Sequence, residues 1–383
     1  MRRFRGIFIT VLMFLLLFST IAYGDSWTGN KRLTNNAGNS NYPAIAVAGS
    51  NIYVVWDDNT SGNYDIYFKK SDDEGVNWTS KRLTNNTGAR YPSIAVDGLN
   101  IYVLWTAYAT PGSNEIYFKK SDDGGVTWSP NKRLTNNAGI SNNPVIAVDG
   151  SNIYVVWCDD TPGNYEIYFK MSDDGGTTWT TNERLTWNTG YSQSPAIAVD
   201  GSNIYVVWYD YTPGNYEIYF KKSDDGGTTW TKNMNLTNNE SYSFLPAVAV
   251  DGSNIYVVWY DETPGNPEIY FKKSDDGGTT WTTNERLTNN YGYSYVPAIA
   301  VDGQNIYVVW ENYLLTPANY EIYFKKSEDG GVTWSGNKRL TNNTGDSRYP
   351  AIAVDGSNIY VVWQNFMPAS ANYEIYFNKG DMF

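Results

Sequence analysis

Tryptophan recurs along this chain at a nearly constant interval. Trp27, Trp78, Trp128, Trp179, Trp230, Trp281 and Trp334 stand 50 to 53 residues apart, and Trp56, Trp105, Trp157, Trp208, Trp259, Trp310 and Trp363 keep step with them. The two series take up 14 of the 15 tryptophans, leaving only Trp187 outside. One stretch, "SDDGGTTWTTNERLT", occurs letter for letter at residues 172–186 and again at 274–288. A period of this length means that one structural unit is built repeatedly and buries its apolar surface against its own copies.

One unit, read from Ser194, is "SPAIAVDGSNIYVVWYDYTPGNYEIYFKKSDDGGTTWTKNMNLT". "PAIAV" and "NIYVVW" are short runs rich in Val, Ile and Tyr, joined by the turn residues "DGSN". "YEIYFKK" is a third run, entered through "TPGN", and "TWTKNMNLT" a fourth, entered through "SDDGG". The continuous apolar character of the first two runs predicts burial on both faces. No window carries a helical period. Four antiparallel strands per unit at this spacing form the blades of a β-propeller, so the chain is expected to be all-β. Inner-strand motifs begin at Pro43, Pro92, Pro144, Pro195, Pro246, Pro297 and Pro350, which predicts seven four-stranded blades. "SWTGNKRLT" near the N-terminus reads as a fourth strand alone, whereas Pro350–Lys379 supplies three strands and no fourth. The N-terminal strand is therefore expected to complete the last blade and close the ring, which removes the exposed sheet edges.

The first 24 residues have a different character. Three arginines, an apolar run from Ile7 to Phe18 and the small-residue pattern around Ala22 and Gly24 describe a secretory signal peptide. Cleavage after Gly24 would leave residues 25–383 as a single propeller domain, secreted or held at the cell surface and not inserted in the membrane. Loss of Arg2, Arg3 and Arg5 would take the net charge from −12 to −15. An acidic surface excludes nucleic acid as a natural partner. Histidine is absent, which removes the usual zinc ligands and the Ser/His and Cys/His nucleophile arrangements. Cys158 is the only cysteine, so stability must come from the core and not from an internal disulfide. A monomer is expected.

The repeated stretch contains Ser-x-Asp-x-Gly-x-x-Trp, present at Ser71, Ser121, Ser172, Ser223, Ser274 and Ser327 with the partner residues in register. This resembles the Asp-box, or BNR repeat, of sialidases and other propeller proteins, and the resemblance extends over the whole mature chain. It implies a structural turn lying away from the active face: Asp and Ser bond turn amides, Gly permits positive φ, and Trp anchors the hairpin.

Comparing the copies with one another separates two ends of the molecule. The "DGSN" turns and the Asp-boxes barely vary. The loops joining strand four to one and strand two to three diverge, so a binding surface is expected at that end. It carries Trp187, Tyr191, Tyr209, Tyr260 and Tyr293 as candidate stacking residues, and Asp58, Asp210 and Asp261, with Asp159, Glu262 and Glu311, as acids expected to ring the channel mouth. Such a rim is a weak candidate for calcium; no other cofactor is implied. Sialidases place Arg-Ile-Pro before an early inner strand, its arginine being one of three that clamp the substrate carboxylate. Arg90-Tyr91-Pro92 and Arg348-Tyr349-Pro350 are similar, which makes Arg90 and Arg348 candidate ligand contacts. The remaining arginines of the repeat lie in strand four, three strands and roughly 14 Å from the inner strand. Sialidases have six blades where seven are counted here, and their nucleophilic Tyr, its Glu partner and the acid Asp have no counterpart motif. The leading expectation is a non-catalytic propeller that binds a glycan or surface polymer, or a protein, through the variable face. A sialidase-type exo-glycoside hydrolase and a structural interaction platform are the alternatives.

Overall fold

The computed structural model describes residues 26–85, 87–110, 113–356 and 358–381; the expected signal segment lies outside them. Seven antiparallel sheets follow one another in chain order. Blade one, for example, comprises Ser40–Ala48, Asn51–Asp58, Asp65–Ser71 and Thr79–Arg82. The inner strands of successive blades begin at Ser40, Arg90, Ser141, Ser192, Ser243, Tyr293 and Ser347, and neighbouring inner strands touch around the ring. Blade seven consists of Ser347–Asp355, Asn358–Met367 and Asn372–Asp381, and its outer edge is supplied by Ser26–Trp27 and Lys31–Arg32. The seven-bladed, N-terminally closed ring expected from the repeat is the fold.

The two apolar strands of each unit differ in burial. The second strand is enclosed on both faces: Ile204, Tyr205, Val206, Val207 and Trp208 are all at 2% exposure or less. The inner strand is only half-buried, because one of its faces lines the central channel; there the expectation of two-sided burial is corrected. Small alternating Ala and Val suit that tapering position.

The Asp-box is a junction between blades as well as a turn within one. Ser172 Oγ accepts the Gly176 amide at 2.9 Å and donates to Asp174 Oδ1 at 2.8 Å, and Asp174 accepts the Thr178 amide at 2.8 Å. These bonds to the charged form, the Thr178 amide foremost, hold the Asp174 carboxyl down at about 2. Gly176 has φ +86°, and a Cβ there would lie 2.6 Å from Phe118 of the preceding blade. The box tryptophan, Trp179, meets the same Phe118 edge-on at 5.1 Å. The contact recurs at every junction, and in the last it is Trp27 from the N-terminal strand that meets Phe324 of blade six at 5.2 Å.

Leu33 follows that closing strand. Its amide bonds Ile375 O at 2.7 Å, and its side chain packs with Ile375 and Phe377 of blade seven and Trp56 of blade one. Leu33→Ala should therefore destabilise the protein by about 2–5 kcal/mol, as much as Leu185→Ala at the equivalent place in an internal blade. Chemical denaturation midpoints check this. A silent Leu33→Ala beside a costly Leu185→Ala would mean that the N-terminal strand does not close the core.

Candidate functional site

The variable loops converge at one end of the channel. In each blade the inner strand bulges where an X-Pro pair interrupts its register with the second strand. The residues before proline, Tyr42, Tyr91, Asn143, Ser194, Leu245, Val296 and Tyr349, all have φ between 47° and 54°. Left-handed backbone is costly for such side chains, most of all for β-branched Val296, so the ring holds them against their preference. Together with five of the adjoining prolines they line a cavity of about 540 Å³ at the channel mouth. One arc of it is a three-ring cluster, with Tyr42 at 4.8 Å from both Tyr91 and Tyr349. The opposite arc is made of Asn143, Ser194, Leu245 and Val296.

At three junctions the residue after the second-strand tryptophan accepts a backbone amide of the next blade. Gln364 Oε1 accepts the Tyr42 amide at 2.9 Å, Asp57 accepts that of Tyr91 at 3.3 Å, and Glu311 that of Tyr349 at 2.9 Å. Asp57 and Glu311 also take the two candidate arginines. Arg348 pairs with Glu311 at 2.8 Å, and its guanidinium lies 4.1 Å from the Tyr320 ring centre; Arg90 stands 3.5 Å from Asp57 and 4.1 Å from the Tyr64 ring. Arg90 and Arg348 are thus engaged within the protein, each bridging two blades, where the sequence suggested cations open to a ligand. Sequence reasoning passed over Asp57 and Gln364; the signal was that this position is polar where the next blade carries Tyr before Pro.

The expected acidic rim is corrected more fully. Asp58, Asp159, Asp210 and Asp261 are at most 1% exposed. Asp210 accepts Ser192 Oγ at 2.7 Å, Asn188 Nδ2 at 2.7 Å, Trp208 Nε1 at 3.2 Å and the Thr212 amide at 2.8 Å. Asp58 and Asp261 hold the same set from their own loops. They latch the strand-four-to-one loop onto the strand-two-to-three loop, because a buried carboxylate needs its lone pairs filled. A second buried acid opens each third strand, and Arg32, Arg82, Arg133, Arg184, Arg286 and Arg339 pair with it at 2.5–2.8 Å. Among the described residues no three His, Cys, Asp or Glu side chains come together as a metal site.

What this end does expose is aromatic. Trp187 is 75% exposed, its ring 4.2 Å from the Arg184 guanidinium. Tyr191, Tyr211, Tyr242 and Tyr293 are also exposed. Beneath them Tyr209 and Tyr260 are half-buried and pack on Phe244 at 5.5 and 5.3 Å; burial pushes both phenols up. Tyr211 and Tyr242 join this row through Tyr216, at 4.9 and 6.2 Å, and Tyr260 passes it on to Tyr295 and Tyr293. Of the candidates, Trp187, Tyr191 and Tyr293 present surface, while Tyr209 and Tyr260 form the floor. Tyr211 lies one residue beyond the loop positions compared between copies, although Tyr108, Tyr313 and Phe366 hold the same place in three other blades.

These features define a seven-bladed Asp-box propeller with an aromatic, strained loop face. The BNR repeat-like domain family matches residues 99–361, and the chain belongs to that family. A stretch of 147 residues is 30% identical to the Protein TolB homolog of Chlorobaculum tepidum; it covers 37% of this chain and 27% of the length of that relative. Among solved structures, polysaccharide lyase Uly1 superposes with a TM-score of 0.60 at 9% identity, over 89% of this chain and 90% of its own. Phage phi92 endosialidase gives 0.57 at 10% identity, over 93% and 69%. The α-L-arabinofuranosidase of Fusarium graminearum gives 0.53 at 15%, over 77% and 93%. At these identities the likeness is one of fold.

Burial raises the Asp57 carboxyl to about 6, with Arg90 offsetting part of the effect. The folded protein therefore binds this proton more tightly than the unfolded chain, and the site's contribution to stability rises as pH falls from about 6 toward about 4. Asp57→Asn keeps an acceptor for the Tyr91 amide, as Gln364 does for Tyr42, and should remove that rise. Urea midpoints of both proteins across the interval test it; parallel profiles would show that Asp57 does not titrate there.

Proposed function

We propose that this protein is an exported, non-catalytic glycan-binding propeller, with its ligand lying on the loop face. The observation that carries the reading is the row of tyrosines crossing blades four to six, exposed at its crest and supported below by Tyr209, Phe244 and Tyr260. Flat rings with polar edges suit the C–H faces and hydroxyls of sugars, and rings fixed by neighbours lose little entropy on binding. The fold neighbours include a polysaccharide lyase, an endosialidase and an arabinofuranosidase, which supports sugar chains as the ligand class. Binding without turnover is supported by the state of the acids. A glycosidase needs two carboxyls, or a tyrosine and a base, at close range beside the scissile bond. The acids nearest the channel mouth, Asp57 and Glu311, are buried and hold backbone amides and arginines instead.

A glycan array and a fluorogenic sialoside assay on the same purified sample test the proposal. Retention of at least one glycan with no turnover is expected, and Trp187→Ala should weaken binding about fivefold or more if Trp187 is a central contact. Turnover that disappears in Arg348→Ala would replace this reading with a sialidase-type hydrolase. Silence in both assays would favour a structural platform.

A further inference from the structure

The glycan reading leaves the charge of the ligand open, and the pairing of charges on the loop face decides it. We propose that the ligand is an uncharged polysaccharide, seated along the tyrosine strip of blades four to six, and that chains bearing uronic or sialic acids are refused. This rests on the reading above.

The loops at this end contain no lysine, and their only arginines are Arg90 and Arg348. Six further guanidinium groups reach the same end from the outer strands. All eight have a carboxylate of their own: Arg90 has Asp57, Arg348 has Glu311, and the six have the acids that open the third strands. In each pair the carboxylate is fully buried. An anionic sugar that captured one of these arginines would strand a buried carboxylate without its cation, a loss greater than a new surface ion pair returns.

The same loops hold acids with no arginine on them. Asp160, Glu240, Glu262 and Asp346 reach solvent. Two of these border the strip. Glu240 precedes Tyr242 in one loop, and the Glu262 amide bonds Tyr242 O at 3.0 Å. The field along the strip is therefore negative, which repels an approaching polyanion before contact. Stacking of a sugar's C–H face on Tyr191, Tyr211, Tyr242 or Tyr293 requires no charge, and the exposed carboxylates can accept hydroxyl protons.

Affinity electrophoresis of the purified protein through gels of mixed-linkage β-glucan, glucomannan or dextran, beside polygalacturonate and polysialic acid, tests the inference. Retention by an uncharged polysaccharide is expected, unchanged by added salt and weakened about fivefold or more in the Tyr211→Ala/Tyr242→Ala variant. Tighter, salt-sensitive retention by either polyanion would overturn the inference while leaving the glycan reading in place. Retention indifferent to the tyrosine substitutions would also overturn it, by moving the ligand off the strip. If no gel retains the protein, the glycan reading itself fails.

Discussion

The ring depends on one contact made seven times, a tryptophan meeting edge-on the phenylalanine of the blade before it. Centroid separations of 5.0–5.2 Å recur at all seven junctions. At six of them the Asp-box glycine is in van der Waals reach of the same ring and has no room for a side chain. A blade cannot present its Trp without the turn that carries it, and cannot receive the next one without its Phe. The unit is therefore only half of a stable interface, and the ring is complete once Trp27 returns to Phe324. Nearest-neighbour packing of this kind makes stability a property of the closed series, with every junction of similar weight.

With the blades fastened at the Asp-box end, the opposite loops are free to vary only where their polar groups are satisfied. Ser192, Asn188 and Asp210 show how that is done: one buried carboxylate gathers an amide, a hydroxyl, an indole and a backbone N–H from three segments. A second acid, Glu166, ties Arg184 and Thr186 of the outer strand to the third. Charge that looks abundant in the sequence is thus spent inside the scaffold, and the surface left for recognition is largely tyrosine. The X-Pro bulges add strain at the channel mouth, and those at Tyr42, Tyr91 and Tyr349 are held by acceptors from the neighbouring blade.

The architecture was legible because its determinants are local and repeated. The tryptophan period, the turn residues and the split strand at the two ends define blade number and closure without tertiary information. The site was less legible, for a physical reason: exposure is not written in residue type. Asp58, Asp210 and Asp261 read as a rim, yet each sits opposite a serine at a fixed offset, and that pairing was the sign of a latch. Arg90 and Arg348 read as free cations because their partners, Asp57 and Glu311, come from the preceding blade. Tyr209 and Tyr260 share a residue type with Tyr293, and only packing separates floor from crest.

The departures from the repeat also fall in coupled pairs, which bears on whether the loop face is merely drifting. Blade two has Ala107 where the latch acid belongs and Ala89 where its serine belongs, so donor and acceptor are lost together. Blades six and seven carry Asn312 and Asn365 instead of Asp. The serine bonds survive, while Trp310 Nε1 and Trp363 Nε1 are left without a partner. Arginine enters an inner strand only where the preceding blade offers both a carboxylate and a tyrosine, Asp57 with Tyr64 and Glu311 with Tyr320. At the corresponding junction between blades four and five, Phe244 meets Tyr216 instead. Each blade is thus matched to its neighbours and not interchangeable with the others, because a swapped loop would strand a buried polar group or lose a ring contact. The tyrosine strip inherits a fixed place in that order, on blades whose junctions are aromatic through and through. Its position on one side of the ring is a consequence of the pairings beneath it.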